Sequence, residues 1–210
     1  MIYDLTMSLF PGQVVWPNDP EIEIAPFSSI SSGDAADISL LRFGTHTGTH
    51  IDAPSHILAG GGGVDQIQPE KLIGPAQVLD LTFAQEKQIL PTTIQQAGFC
   101  RLIPRLLLKT KNSQVAEDRR FHQDYIALSI EAAAWLIKEG VFLIGIDYLS
   151  IEPFDTSDYT IHRMLLSQQV VVVEGLILRG VPAGVYELFC APLKIVQADG
   201  APARVFLRSL

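Results

Sequence analysis

The sequence has little cysteine. Cys100 and Cys190 are the only two in 210 residues, and they form no C-x-x-C pair. This excludes a disulfide-dense secreted scaffold and a thiolate zinc finger. One Cys100–Cys190 bridge stays open, but two buried free thiols in a reducing cytoplasm is the preferred reading. Basic charge is also scarce: 15 Lys and Arg face 23 Asp and Glu, for a net charge of −8. A polyanion has nothing to bind, so neither nucleic acid nor an anionic membrane is expected as partner. Long hydrophobic runs are missing. Val170–Val173 stops at Glu174, and the next apolar stretch is broken by Arg179, Gly180 and Pro182. Both fall far short of the roughly 20 residues of a membrane span. The opening Met-Ile-Tyr-Asp-Leu-Thr lacks the basic and apolar regions of a secretion signal. The expected location is the cytoplasm. No internal repeat or low-complexity tract is visible.

What is present is apolar. Hydrophobic residues make up 48% of the chain and charged ones 18%, which is enough for a large core and leaves room for a subunit interface. At this length one domain, 1–210, is expected. Strands are read at Ile2–Met7, Glu21–Ala25, Ile38–Phe43, Gln77–Leu81, Leu106–Lys109, Val141–Ile146 and Val170–Val173. Three more follow at Tyr186–Phe189, Leu193–Val196 and Arg204–Leu207. Pro91–Ala97 reads as a short helix with proline in its first turn. The clearest helix runs between Ser129, a candidate N-cap, and Gly140, with Ala132, Ala133, Leu136 and Ile137 on one face. Another short helix spans Ile161–Leu166, with Asp155 or Ser157 as its cap. Strands interleaved with few helices give an α/β fold on a mixed sheet.

Three of the five histidines fall within His46-Thr-Gly-Thr-His50-Ile-Asp52-Ala-Pro-Ser-His56. Imidazole and carboxylate are standard ligands of catalytic zinc and of manganese. On a helix, at about 100° per residue, His46 and His50 share a face that Asp52 does not. On an extended strand His46, His50 and Asp52 have equal parity and point the same way. Pro54 breaks the strand, so the following turn must place His56. Two His and one Asp leave coordination positions open, as hydrolysis requires. Trp16 has two open readings, an aromatic platform for substrate or a core or interface residue. Asp147, ending a buried strand, is open between an active-site and a turn role.

The run His-x-x-x-His-x-Asp-x-Pro-x-His resembles the signature of the cyclase family of metal-dependent hydrolases, whose best-known activity is that of an arylformamidase. Further elements resemble the family along almost the whole chain. They are Trp16-Pro17-x-Asp19, with Asn18 at a position where the family usually has Gly, Leu108–Ser113, Gly145-Ile146-Asp147-x-x-Ser150-Ile151-Glu152-Pro153, Glu174-Gly175-Leu176 and Gly180–Tyr186.

The resemblance implies a swivelling β/α/β-type domain and two divalent cations per subunit, zinc first and manganese second. It implies that His46, His50 and Asp52 hold one cation, and that Asp52 bridges to another completed by His162 and Glu174. His56 becomes the general acid/base beside a metal-activated water, and a homodimer or higher homo-oligomer is expected. The substrate is then a small amide, with N-formylkynurenine cleaved to kynurenine and formate as the leading case. The alternatives are another cyclic amide or lactone, as for an isatin hydrolase, or a metal-binding protein without turnover.

Overall fold

The computed structural model describes residues 1–210. Twelve strands and four helices follow in order: β1 Ile2–Asp4, β2 Glu23–Ser28, β3 Ile38–Arg42, β4 His50–Asp52, α1 Pro69–Leu72, β5 Ile73–Asp80, β6 Gln88–Ile89, α2 Pro91–Gln96, β7 Arg105–Lys109, β8 Ala127–Leu128, α3 Ile130–Lys138, β9 Leu143–Ile146, α4 Thr160–Ser167, β10 Val171–Glu174, β11 Gly184–Pro192 and β12 Gly200–Ser209. No helix is long and apolar enough to cross a membrane.

The main sheet has the order β1-β12-β11-β5-β7-β9-β10-β4, and β4 also pairs with β12. That extra pairing closes the sheet on itself. Strands β5, β7, β9 and β10 run parallel, and the remaining pairs of this sheet are antiparallel. The sheet is therefore mixed, and the fold is α/β with few helices.

Closure buries both faces of the parallel strands, which is why they read as continuous apolar runs. Alternate residues divide between two cores. Leu107, Leu143, Val171 and Val173 point inside the closed sheet with Leu5, Ile51 and Val205. Leu106, Leu108, Ile144, Ile146 and Val172 point outward, under Ile94, Leu136 and Leu165 of the three covering helices. Ser129 caps α3 by accepting from Ala132 N at 3.0 Å, and Gly140 follows that helix with φ +84°.

The structure departs from sequence expectation at four places. Both cysteines are free thiols, but only Cys190 is buried and Cys100 is partly exposed. Leu193–Val196 is not a strand: it is the exposed connection from β11 to β12, and Gln197 next to it has φ +58°. Neither Asp155 nor Ser157 caps α4, whose N-cap residue is Tyr159, with φ +52° and no side-chain cap. The strand carrying the histidine segment covers only His50–Asp52. His46 lies in the turn before it, which Gly48 makes with φ +63°.

Candidate metal centre

Strand parity builds the site. In β4, Ile51 enters the inner core, so its neighbours His50 and Asp52 face the other way. They pair in register with Glu174 and Val172 of β10, so His50 and Glu174 stand side by side. His162, in the first turn of α4, comes down over the same place. His46 arrives from its turn, which is held tight because Gly175 has no Cβ: one there would lie 2.3 Å from Gly48 O. Thr49 Oγ1 donates to Gly175 O at 2.5 Å and accepts from Met7 N at 2.9 Å. His56 follows in the single 3₁₀ turn Pro54–His56, as the Pro54 break requires.

The spacings suit a divalent cation. His46, His50 and Asp52 form one set whose ligand atoms lie within 4.8 Å of one another, Asp52, His162 and Glu174 form a second, more buried one, and His46, His56 and Asp199 form a third at the mouth; the first two are the inner sets. Asp52 belongs to both. His46 Nδ1 is 2.9 Å and His50 Nε2 3.5 Å from Asp52 Oδ1. His162 Nε2 is 3.5 Å from Asp52 Oδ2 and 3.2 Å from Glu174 Oε1, and His50 Nε2 is 3.3 Å from Glu174 Oε2. Two atoms each about 2.1 Å from one tetrahedral ion sit about 3.4 Å apart, which is the same range.

The outer nitrogens make a stronger test. Each imidazole turns one nitrogen away to an acceptor: His50 Nδ1 to Gly48 O at 2.9 Å, His162 Nδ1 to Glu152 at 2.6 Å, His46 Nε2 to Asp199 at 3.1 Å. A ring that donates outward presents its lone pair inward, as ligation demands. Asp52 Oδ2 is buried without a hydrogen-bond partner. A buried carboxylate oxygen left so is costly unless a cation meets it. The side-chain set fits a divalent metal.

Electrostatics agree. Burial alone raises the Asp52 and Glu174 carboxyls, but the surrounding imidazoles outweigh it and hold both below their ordinary range. Burial lowers His46, yet its hydrogen bonds to Asp52 and Asp199 and their charges lift it to about 9. For His162 burial is likewise overcome, by Glu152 and Glu174. His56 differs. Burial lowers it, and the neighbouring His46 and His162 lower it further against the pull of Asp52 and Glu174. Its ring centroid is 3.9 Å from that of His46 and 6.0 Å from that of His162.

Two residues at the site were invisible in the sequence reading as functional groups. Asp199, at the mouth, accepts from Thr45 Oγ1 at 3.0 Å, meets His46 and lies 3.9 Å from His56 Nδ1. Its only local signal is the Asp-Gly step into β12, where a Cβ on Gly200 would lie 2.7 Å from His46 Cε1. Glu152 carried no signal beyond its motif. Asp147 takes a loop role: it accepts from Thr110 N, Thr110 Oγ1, Ser113 N and Ser113 Oγ. Trp16 packs edge-on against Phe121 at 5.1 Å, and its ring centroid is 5.5 Å from that of Phe154. Three residues on, burial raises the Asp19 carboxyl, against the pull of His46, His50 and His56. A cavity of about 390 Å³ lies elsewhere: it shares Asp52 with the centre but touches none of the histidines, running along Pro54, Leu58, Lys71 and Val170.

A mixed α/β sheet carrying a buried His/carboxylate centre, open on the His46, His56 and Asp199 side, defines the class: a metal-dependent hydrolase. Residues 3–153 match the family described as putative cyclase. The chain is 36% identical over 209 residues to the kynurenine formamidase of Salinibacter ruber, covering 99% of this chain and 97% of that protein. It is 30% identical over 209 residues to the kynurenine formamidase of Erythrobacter litoralis, covering 100% and 94%. Among solved structures it is similar to a potential metal-dependent hydrolase with cyclase activity, with TM-score 0.85, 34% identity and coverage of 99% and 96%. It is also similar to isatin hydrolase A from Labrenzia aggregata, with TM-score 0.80, 25% identity and coverage of 99% and 93%. The chain belongs to the cyclase family.

Proposed function

We propose that this chain is an arylformamidase that hydrolyses N-formylkynurenine to kynurenine and formate. The observation that carries this is Asp52, shared by two His/carboxylate sets with a third kind of histidine, His56, beside them. Relatives at 36% and 30% identity that bear the name kynurenine formamidase support the substrate.

His46, His50 and Asp52 would hold one divalent cation, and Asp52, His162 and Glu174 a second, with zinc the first choice and manganese the other. Bound there, such cations supply Lewis acidity and a water acidic enough to react near neutral pH. The chain's own residues do the rest. His56 is lowered by burial, so it is neutral near pH 7 and free to accept a proton on its ring. It passes that proton to the leaving aryl amine as the C–N bond breaks, and water supplies the formate oxygen. Asp199 orients His46 from outside. Trp16, in the aromatic cluster with Phe121 and Phe154, would be the residue to stack on the aryl ring.

The whole of 1–210 acts as one domain in this reading, as a cytoplasmic enzyme for a small molecule. A homodimer is part of it. Hairpin β2–β3 pairs with nothing else, yet exposes Phe27 at 75% and Leu40 at 58%. An isolated two-stranded hairpin is marginal in water, so a second copy would cover it.

The competing substrate is a cyclic amide of the isatin kind, favoured by the similarity to isatin hydrolase A. Assay of the purified, cation-loaded protein on N-formylkynurenine, isatin and a lactone separates the readings. Formate release from N-formylkynurenine is expected. Turnover of isatin alone would transfer the assignment, and turnover of nothing with cations bound would leave a binding protein.

A further inference from the structure

His162 is gripped from two sides. Its Nε2 faces Glu174 and Asp52, and its Nδ1 lies 2.6 Å from Glu152 Oε2. Glu152 is only 2% exposed, and its other carboxylate contacts are also to donors. Oε1 accepts from Ile161 N at 3.0 Å, and Oε2 also accepts from His162 N at 3.2 Å. A carboxylate already accepting two backbone N–H bonds meets Nδ1 as an acceptor. The proton then belongs on Nδ1, and a neutral ring keeps its lone pair on Nε2.

We propose that Glu152 is a positioning residue of the metal centre: by accepting His162 Nδ1–H it fixes the ring orientation and tautomer that aim Nε2 at the space shared with Asp52 and Glu174. The inference rests on the metal reading above and goes beyond it, because Glu152 itself faces away from that space.

The helix explains why the grip sits here. The first N–H groups of α4 have no intrahelical acceptor, and Tyr159 supplies no side-chain cap. Glu152 reaches in from an earlier loop and takes two of them. The helix is thus anchored by the same carboxylate that orients its third residue. Backbone start and imidazole cannot shift independently. The neutral isostere tests this. With Glu152→Gln, one end of the side chain becomes an NH₂ donor. Facing Ile161 N, it sets donor against donor. Facing Nδ1, it reverses the tautomer and puts hydrogen on Nε2.

Zinc titration of metal-free wild type and Glu152→Gln gives the first readout. The wild type should bind two equivalents. The variant should keep one at wild-type affinity, the one at His46, His50 and Asp52, and bind the other about 10- to 100-fold more weakly. Unchanged affinities, or equal weakening of both, would overturn the proposal. In a His162→Ala background, adding Glu152→Gln should leave the single remaining affinity unchanged; a further drop there would also overturn it. Nitrogen-15 NMR of the zinc-loaded wild type needs no variant to fold. It should show His162 as the Nδ1–H tautomer with a hydrogen-bonded ring proton, and an Nε2–H tautomer would refute the assignment. A wild type that takes up no zinc removes the metal reading itself, and this proposal with it.

Discussion

Asp52 Oδ1 lies 2.9 Å from His46 Nδ1, while the other oxygen of the same buried carboxylate has no hydrogen-bond partner at all. A buried carboxylate oxygen left without a donor is costly unless a cation meets it. Asp52→Asn keeps the shape and replaces one oxygen with a donor. It should reduce cation content below one per chain and lower kcat/KM by more than the ~10- to 100-fold that losing a mere orienting partner costs. Elemental analysis alongside the formamidase assay checks both. Full cation content in the variant would remove Asp52 from the ligand set.

His56 is set apart from its neighbours by the sign of its shift. Burial lowers it, whereas His46 and His162 are lifted by carboxylates. His56→Ala should therefore leave cation stoichiometry intact and lower kcat by about 10²–10⁴, the range for loss of a general acid/base. Loss of cations in this variant would make His56 a ligand instead.

Cation binding should be linked to protons, with a sign fixed by His46. Its folded value, about 9, is above the unfolded 6.5. In the metal-free protein its protonation thus stabilises the fold fully below pH 6.5, and that contribution fades as pH rises through about 9. A cation requires the unprotonated nitrogen. Between pH 6.5 and 9, zinc should displace roughly one to two protons, from His46 and the similarly raised His162. Affinity should weaken as pH falls through this window. Calorimetry at pH 7.5 in two buffers of different ionisation enthalpy measures the release, and equal apparent enthalpies would contradict it.

The limits of legibility in the sequence follow from what is local. Parity within β4 made His50 and Asp52 readable as one face, because Ile51 between them belongs to the core. The same parity argument was wrong in detail for His46, which a turn delivers rather than a strand, since Gly48 adopts positive φ. His162 and Glu174 were reachable only through family resemblance. Their place beside His50 and Asp52 depends on α4 packing on β10 and on antiparallel pairing of β10 with β4, and the latter is a contact between distant segments. Asp199 was missed for that reason too: it is 153 positions from His46. Leu193–Val196 misled because its alternation is apolar but its side chains face solvent.

The loop behind the site rests on Asp147, and two substitutions there should behave very differently. Oδ2 receives Thr110 N at 2.7 Å, Ser113 N at 3.0 Å and Ser113 Oγ at 2.5 Å, whereas Oδ1 receives only Thr110 Oγ1 at 2.8 Å. Both backbone donors thus meet one oxygen. In Asp147→Asn the amide oxygen can take that place, and the NH₂ meets a hydroxyl that can turn to accept. Burial raises the Asp147 carboxyl despite these four donors, so surrendering its charge forfeits little. Asp147→Asn should cost less than about 1.5 kcal/mol. Asp147→Ala leaves the buried Thr110 N–H without an acceptor and Ser113 N–H with only the 3.4 Å contact to Thr110 O, and should cost about 2–6 kcal/mol, at ~1–3 kcal/mol for each of the two groups. Urea unfolding of the two variants, compared at similar m-values, measures the difference. Equal destabilisation by Asn and Ala would mean that the negative charge, not the acceptor geometry, holds Thr110 and Ser113 in place.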